Sequence, residues 1–208
     1  MVEEMVGTSS VMLTQGQIRD ILIETGAFRK GHFLLPMGKH TNHYFQMPLA
    51  LRYFNYARTL CVGLSRLLRV DPKVTSALPR CSVVGPASGG IPVAFGVREA
   101  LNADQIFWVE REEGHLSFRQ FAEVKPGDKC ILVDDITFFG NTMQELVKLI
   151  QGSGGIILAI GVIVNPGLAG TEFGDIPFYS LIDIKTDLYD ESNCPLCKQN
   201  VPLVKVRI

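Results

Sequence analysis

The sequence predicts an α/β fold, an open parallel β-sheet flanked by helices on both faces. Three observations carry this. Wholly apolar stretches of strand length, such as "CILV" at 130–133 and "IILAIGVIV" at 156–164, alternate with amphipathic stretches of helix length. Loops rich in Gly and Pro separate them, as in "GPASGG" at 85–90. Strands that are apolar without alternation are buried on both sides, which is the habit of parallel sheets covered by helices.

The elements follow in order. Residues 1–13 read as a loose lead-in. In "TQGQIRDILIETGAF", Ile18, Ile21 and Leu22, with Ile23 beside them, form a helical stripe; Thr14 is the N-cap and Gly26 the stop. "RKGHFLLPMGKHTNHYFQMPLAL" is cut by Pro36 and Gly38 into short strands and turns. "YFNYARTLCVGLSRLLRV" returns to helical spacing and ends near Asp71. "CSVVGPASGGIPVAFGVREAL" is a strand, a loop and a helix, and "DQIFWVE" is a strand. "REEGHLSFRQFAEVKPGD" is polar and has the composition of a mobile segment. "KCILVDD" is a buried strand ending in acids, and "NTMQELVKLIQGSGG" is a helix with a glycine stop. "IILAIGVIVNPG" and "PFYSLIDI" are two further strands. No repeat or low-complexity linker interrupts the chain, so one domain is expected over 1–208.

A chain of 208 residues is long enough to bury a sizeable core. The net charge of −1 offers no electrostatic case for nucleic acid. Charges, Pro or Gly interrupt every apolar run before it reaches membrane-spanning length, and "MVEEMVGTSS" lacks a signal pattern. A soluble, cytoplasmic protein without nucleic-acid or membrane partners is expected. Five scattered cysteines suit a reducing compartment. Cys61, Cys81 and Cys130 lie in apolar contexts and read as small core residues. Cys194 and Cys197 form a CxxC, half of a four-ligand zinc site. No second CxxC or nearby HxxxH completes it, so two free thiols are expected, unless a second copy's pair or a distant histidine joins them. No thioredoxin-like context surrounds the pair.

The chemistry concentrates in "CILVDDITFFGNTM", 130–143. Asp134 and Asp135 stand at the carboxyl end of a strand, where open α/β sheets bind ligands. Gly140 then opens a helix whose free N–H groups and dipole favour an anion. Acids so placed can hydrogen-bond sugar hydroxyls or hold a metal through water. The alternative is that Asp135 starts a turn and Asp134 is merely solvated.

"ILVDDITFFGNT" resembles the phosphoribosyl-pyrophosphate (PRPP) motif of type I phosphoribosyltransferases; the match covers the strand, both acids, Gly140 and Thr142. The resemblance runs along nearly the whole chain and points to the orotate phosphoribosyltransferase subgroup. "ETGAFRKGHFLLPMGKHTNHYFQ" is similar to that subgroup's N-terminal hood, and "VVGPASGGIPVAFGV" to its pyrophosphate-side loop. "REEGHLSFRQFAEVKPGDKCILVDD" occupies the place of its flexible β-hairpin lid, over about 110–124. "CPLCKQNVPLVK" looks like the tail of one bacterial and archaeal branch.

The resemblance implies a type I phosphoribosyltransferase-like sheet, with a hood at about 26–50 plus the tail and a core at about 51–185. It implies transfer of the 5-phosphoribosyl group from PRPP to orotate, releasing pyrophosphate, with Mg²⁺ accompanying PRPP and a homodimer as the working form. It places the ribose hydroxyls on Asp134 and Asp135. It places the 5′-phosphate on Ile136, Thr137, Phe138, Phe139, Gly140, Asn141 and Thr142, and the pyrophosphate on Pro86, Ala87, Ser88, Gly89 and Gly90. Arg111, His115 and Arg119 of the lid complete the catalytic set, and Tyr44, Phe45 and Lys39 meet the base. No protein side chain is expected to ligate the metal directly.

The chain departs from the pattern in three places. Phe138 and Phe139 replace hydroxyl residues of the phosphate loop, each lost hydrogen bond to a charged group being worth about 1.5–3 kcal/mol. The alternative is that the two rings turn into the core and the loop is rebuilt. Asn141 also replaces a glycine, a restriction if that position needs positive φ. The lid has arginines but no lysine before Lys125; arginine clamps phosphate bidentately. Asn165, Pro166 and Gly167 stand where the family often has an arginine for the orotate carboxylate, leaving backbone N–H groups near Gly167 as the substitute. Three readings stay open: an orotate enzyme, a transferase for another base, and a catalytically weak or inactive PRPP- or nucleotide-binding regulator.

Overall fold

The structure is a computed structural model that describes residues 13–168 and 172–206. Apart from Leu13, the lead-in lies outside the described residues. Helix α1 (Gln15–Glu24) opens on a reciprocal cap. The Gln17 N–H donates to the Thr14 hydroxyl at 3.2 Å, and the Thr14 N–H donates to the Gln17 side chain at 2.9 Å. Gly26, at φ +74°, ends it. Ile18 and Leu22 are buried and Ile21 packs beside them, whereas Ile23 is 51% exposed and leaves the stripe.

β1 (Phe28–Leu34) and β2 (His40–Phe45) pair antiparallel across the turn that holds Pro36 and Gly38. α2 (Pro48–Leu51) and α3 (Phe54–Leu68) follow. A short helix absent from the sequence reading, α4 (Pro72–Ala77), begins where Asp71 caps it. The Lys73 N–H donates to Asp71 Oδ1 at 2.7 Å, and Pro72 needs no partner in the first turn.

The body comprises β3 (Ser82–Pro86), α5 (Gly90–Leu101), β4 (Gln105–Glu112), β5 (His115–Phe118), β6 (Lys129–Ile136), α6 (Asn141–Gly152), β7 (Ile156–Asn165) and β8 (Phe178–Asp183). The sheet order is β5-β4-β3-β6-β7-β8, parallel throughout except for β5 at the edge. Side chains alternate across β6. Ile131 and Val133 join Leu60, Leu64, Val93 and Val97 of α3 and α5, while Cys130 and Leu132 join Met143, Leu146 and Ile150 of α6. This two-faced burial is why β6 reads as an unbroken apolar run. Cys61, Cys81 and Cys130 are buried core residues; burial pushes the Cys61 and Cys130 thiols up to about 12.

The polar segment after Glu110 is more regular than its composition suggests. β4 continues to Glu112, and β5 pairs back with Val109 opposite Phe118 and Arg111 opposite Leu116. Glu113 and Gly114 make the turn, with φ of +48° and +89°, the backbone a tight hairpin needs. The tail forms β9 (Leu188–Tyr189), α7 (Pro195–Lys198) and β10 (Leu203–Lys205). β9 and β10 flank the hairpin in a second sheet, ordered β10-β1-β2-β9. Phe28 and Phe45 of this hood belong to the same buried cluster as α3 and α5. No helix among the described residues is long and apolar enough to cross a membrane.

Candidate active site

β6 delivers Asp134 and Asp135 to its carboxyl end, each 8% exposed. The Asp135 N–H donates to Asp134 Oδ1 at 2.9 Å. Among the described residues no Lys or Arg pairs with either carboxyl. Burial, joined at Asp134 by the neighbouring charge of Asp135, holds both above the ordinary carboxylate range, Asp134 well above it. Buried acids without a cation suit a ligand that brings hydroxyl donors or positive charge.

The β3–α5 loop closes against these acids. A Cβ at Gly89 would stand 2.4 Å from Asp135 Oδ2, and one at Gly90 would stand 3.2 Å from Asp134 Oδ1 and 2.6 Å from Pro86 Cδ. Glycine permits this approach and no other residue does. Pro86 has no N–H, and the Ala87 N–H donates to the Val109 carbonyl at 2.7 Å. The loop's remaining anion donors are the amides of Ser88, Gly89 and Gly90 at the open end of α5. The Ala87–Ser88 peptide is cis.

A cavity of about 210 Å³ lies beside the acids, lined by Asp134, Ile136, Thr137, Phe138, Phe139, Gly140, Asn141 and Thr142. A water occupies about 30 Å³ of liquid, so the cradle has room for a phosphate. The two phenylalanines border it without filling it. Phe138 leans on the main core and meets Phe45 edge-on, with ring centroids 6.0 Å apart. Phe139 is half-buried in the wall. The positive φ falls on Gly140, at +72°, and Asn141 takes the first position of α6 without one. The glycine-to-asparagine change therefore imposes no restriction.

The lid cations are held by acids. Arg111 lies 2.7 Å from Glu145 of α6, and the Leu116 N–H donates to the same carboxylate at 2.7 Å. The Arg111 hydrogen bond is the main reason Glu145 sits below its ordinary value. Arg119 pairs with Glu110 at 3.3 Å and Glu112 at 3.0 Å on its own hairpin. His115 is exposed. Of the base candidates, Phe45 stacks on Phe28 and reaches Phe138 of the phosphate loop. Tyr44 packs against Phe33 beneath Arg29, and Lys39 is 2.7 Å from Asp190 of the tail.

The Asn165 amide donates to Asp183 at 2.8 Å, and its oxygen accepts from the Gly167 N–H at 3.0 Å. That backbone donor is thus already engaged and is not free for a substrate carboxylate.

Neither Glu145 nor the identity of the distant histidines that could join the CxxC was named from the sequence. Glu145 anchors the lid from a helix 34 residues away, and no local pattern marks it. His32 and His40 converge with Cys194 and Cys197, all four ligand atoms lying within 4.8 Å of one another. A histidine on each side of the turn in "HFLLPMGKH" was the available signal, since a hairpin sets such positions on neighbouring strands. The CxxC therefore has two histidine partners.

Comparison with known proteins gives the following. No family model matches the chain. It is 38% identical over 185 residues to the orotate phosphoribosyltransferase of Carboxydothermus hydrogenoformans, spanning 89% of this chain and 93% of that protein. It is 34% identical over 193 residues to the orotate phosphoribosyltransferase of Desulforamulus reducens, spanning 93% and 96%. The structure matches the crystal structure of orotate phosphoribosyltransferase from Aeropyrum pernix with a TM-score of 0.63 at 19% identity, over 81% of this chain and 94% of that one. At that identity the structural likeness speaks for the fold.

Proposed function

The chain belongs to the orotate phosphoribosyltransferase family, and we propose that it transfers the 5-phosphoribosyl group of PRPP to orotate, giving orotidine 5′-phosphate and pyrophosphate. The observation that carries this is the buried acid pair, free of cations, closed over by Gly89 and Gly90 and opening on the 136–142 cradle.

A base nitrogen attacks C1 of the ribose and gives up its proton to solvent, and the C1–oxygen bond breaks with its electron pair leaving on pyrophosphate. Positive charge gathers on the ribosyl carbon. Asp134 and Asp135 accept from the ribose hydroxyls and set negative charge beside it. The amides of Ser88, Gly89 and Gly90 hold the pyrophosphate. The first-turn amides of α6 and the Thr142 hydroxyl hold the 5′-phosphate without the hydroxyls lost at 138 and 139. Arg111 and Arg119 exchange their acids for the leaving group as the lid closes. Phe45, which reaches Phe138, lies on the face of β2 turned toward the phosphate loop and is the better placed of the base candidates; Tyr44, the next residue on the strand, faces the other way, and Lys39 is held by Asp190.

Mg²⁺ fits the all-oxygen donor set of the acid pair, and would be held there through water. When bound, it offsets the charge of the pyrophosphate.

A homodimer is part of the proposal. The groove between α3 and α5 carries Phe54, 75% exposed, and Phe95, 52% exposed, an apolar face that a second copy would cover. A transferase for another base is the second reading, favoured by the occupied Gly167 amide and by Asn165 and Pro166 in place of an arginine. Calorimetry with Mg²⁺ and PRPP, followed by pyrophosphate release with orotate and then with other bases, separates the two.

A further inference from the structure

We propose that His32, His40, Cys194 and Cys197 bind one Zn²⁺ in a tetrahedral structural site that fastens the C-terminal tail to the hood. The four residues come from β1, β2 and the start of α7, so chain proximity does not explain their meeting. His32, His40 and Cys194 are buried and Cys197 is half-buried. Cys194 Sγ is 3.4 Å and Cys197 Sγ 3.7 Å from His32 Nε2, and Cys197 Sγ is 3.3 Å from His40 Nδ1. Zinc with bonds of about 2.3 Å to sulfur and about 2.0 Å to nitrogen sets tetrahedral N···S neighbours about 3.5 Å apart. The observed separations bracket that value. The two ring nitrogens, 2.8 Å apart, move apart by about half an ångström to admit the ion.

Hydrogen bonding alone does not account for the cluster. The Val201 carbonyl, 2.9 Å from His32 Nδ1, can only accept, so Nδ1 carries the proton and Nε2 presents a lone pair. That single lone pair faces His40 Nδ1 and both sulfurs. One acceptor with three neighbours is the arrangement of a ligand sphere. The Val201 contact is also the outer hydrogen bond that orients a metal-bound imidazole. Two thiolates and two neutral imidazoles cancel the charge of Zn²⁺, which suits a buried site. Four protein ligands leave no open position, so the role is structural, and an S₂N₂ tetrahedron selects zinc.

The tail needs such a fastening. Among its described residues from Leu188 to Val206, Cys194 alone is buried, and β10 is exposed along its length. Apolar burial therefore does little to hold the tail on β1, and a metal can supply what is missing.

The test uses the full chain without a polyhistidine tag, purified under reducing conditions from zinc-supplemented cells. Elemental analysis is expected to find close to one zinc per chain. Cys197→Ser should lose it, while Cys81→Ser, a buried cysteine outside the cluster, should keep it. Chelation should make the tail near Lys198 and Lys205 sensitive to trypsin. Exchange with Co²⁺ should give tetrahedral ligand-field bands and a thiolate charge-transfer band, which decides the matter in the wild-type chain even if Cys197→Ser misfolds. Wild-type protein that takes up neither metal, full zinc content in folded Cys197→Ser, or a Cys194–Cys197 disulfide in the freshly purified chain would overturn the proposal.

Discussion

Gly89→Ala isolates the acid pair from the rest of the fold. Gly89 has φ −66° and ψ −37°, so alanine meets no backbone penalty. Its Cβ would lie 2.4 Å from Asp135 Oδ2, 2.6 Å from Cγ and 2.7 Å from Oδ1. Ordinary contact begins near 3.4 Å, so the carboxylate must retreat by about 1 Å. A misplacement of that size costs about 100-fold in rate, or about 2.7 kcal/mol of transition-state stabilisation. Global stability should change by less than about 1 kcal/mol, because alanine also restricts the unfolded chain. Steady-state assays of pyrophosphate release and thermal melts on the same samples read both effects. A variant with kcat/KM within twofold of wild type would refute the claim that Asp135 acts from its observed position.

Other substitutions probe the remaining parts. Asp134→Asn should raise the stability of the ligand-free protein by about 1–3 kcal/mol near neutral pH, since it removes a buried, unpaired charge, and should lower turnover by about 100-fold or more. Because burial raises the Asp134 carboxyl in the folded state, the unfolded chain releases that proton first. Stability should therefore fall as pH climbs from about 4 through the raised folded value, and fall less in Asp134→Asn, where only the raised Asp135 carboxyl remains; melts across pH measure this. Arg111→Ala should cost less than about 1 kcal/mol of stability, since its pair with Glu145 is 47% and 30% exposed, yet lower kcat at least tenfold. Phe139→Thr should tighten PRPP by up to about 1.5–3 kcal/mol by restoring a hydroxyl, read by calorimetry. Phe138→Thr should instead destabilise the fold, by less than the roughly 3–5 kcal/mol of a fully buried phenylalanine, because its ring packs on Phe45.

Much of the fold was legible because burial on two faces writes itself directly into composition. β6 and β7 read as strands for that reason, and Thr14 and Gly26 marked the ends of α1 by known capping chemistry. α4 was missed because a six-residue helix has no room for periodicity, although Asp71 and Pro72 signalled its start. The hairpin at 105–118 was expected from the resemblance and not from composition, where surface charge masks it and Val109 and Leu116 are its few buried pins. The loop between β6 and α6 was located by its acids and Gly140, but the direction of Phe138 depends on Phe45, 93 residues earlier. The same holds for His32 and His40, whose partners lie in the tail. Long-range pairing is set by topology, which local patterns do not encode.

The altered Phe138–Phe139 loop is expected to serve PRPP still. The most direct test is pyrophosphate release by the purified chain supplied with PRPP, Mg²⁺ and orotate, with each component withheld in turn. Release is expected to require all three and to collapse in Gly89→Ala. Failure of PRPP with Mg²⁺ to bind at all would contradict it.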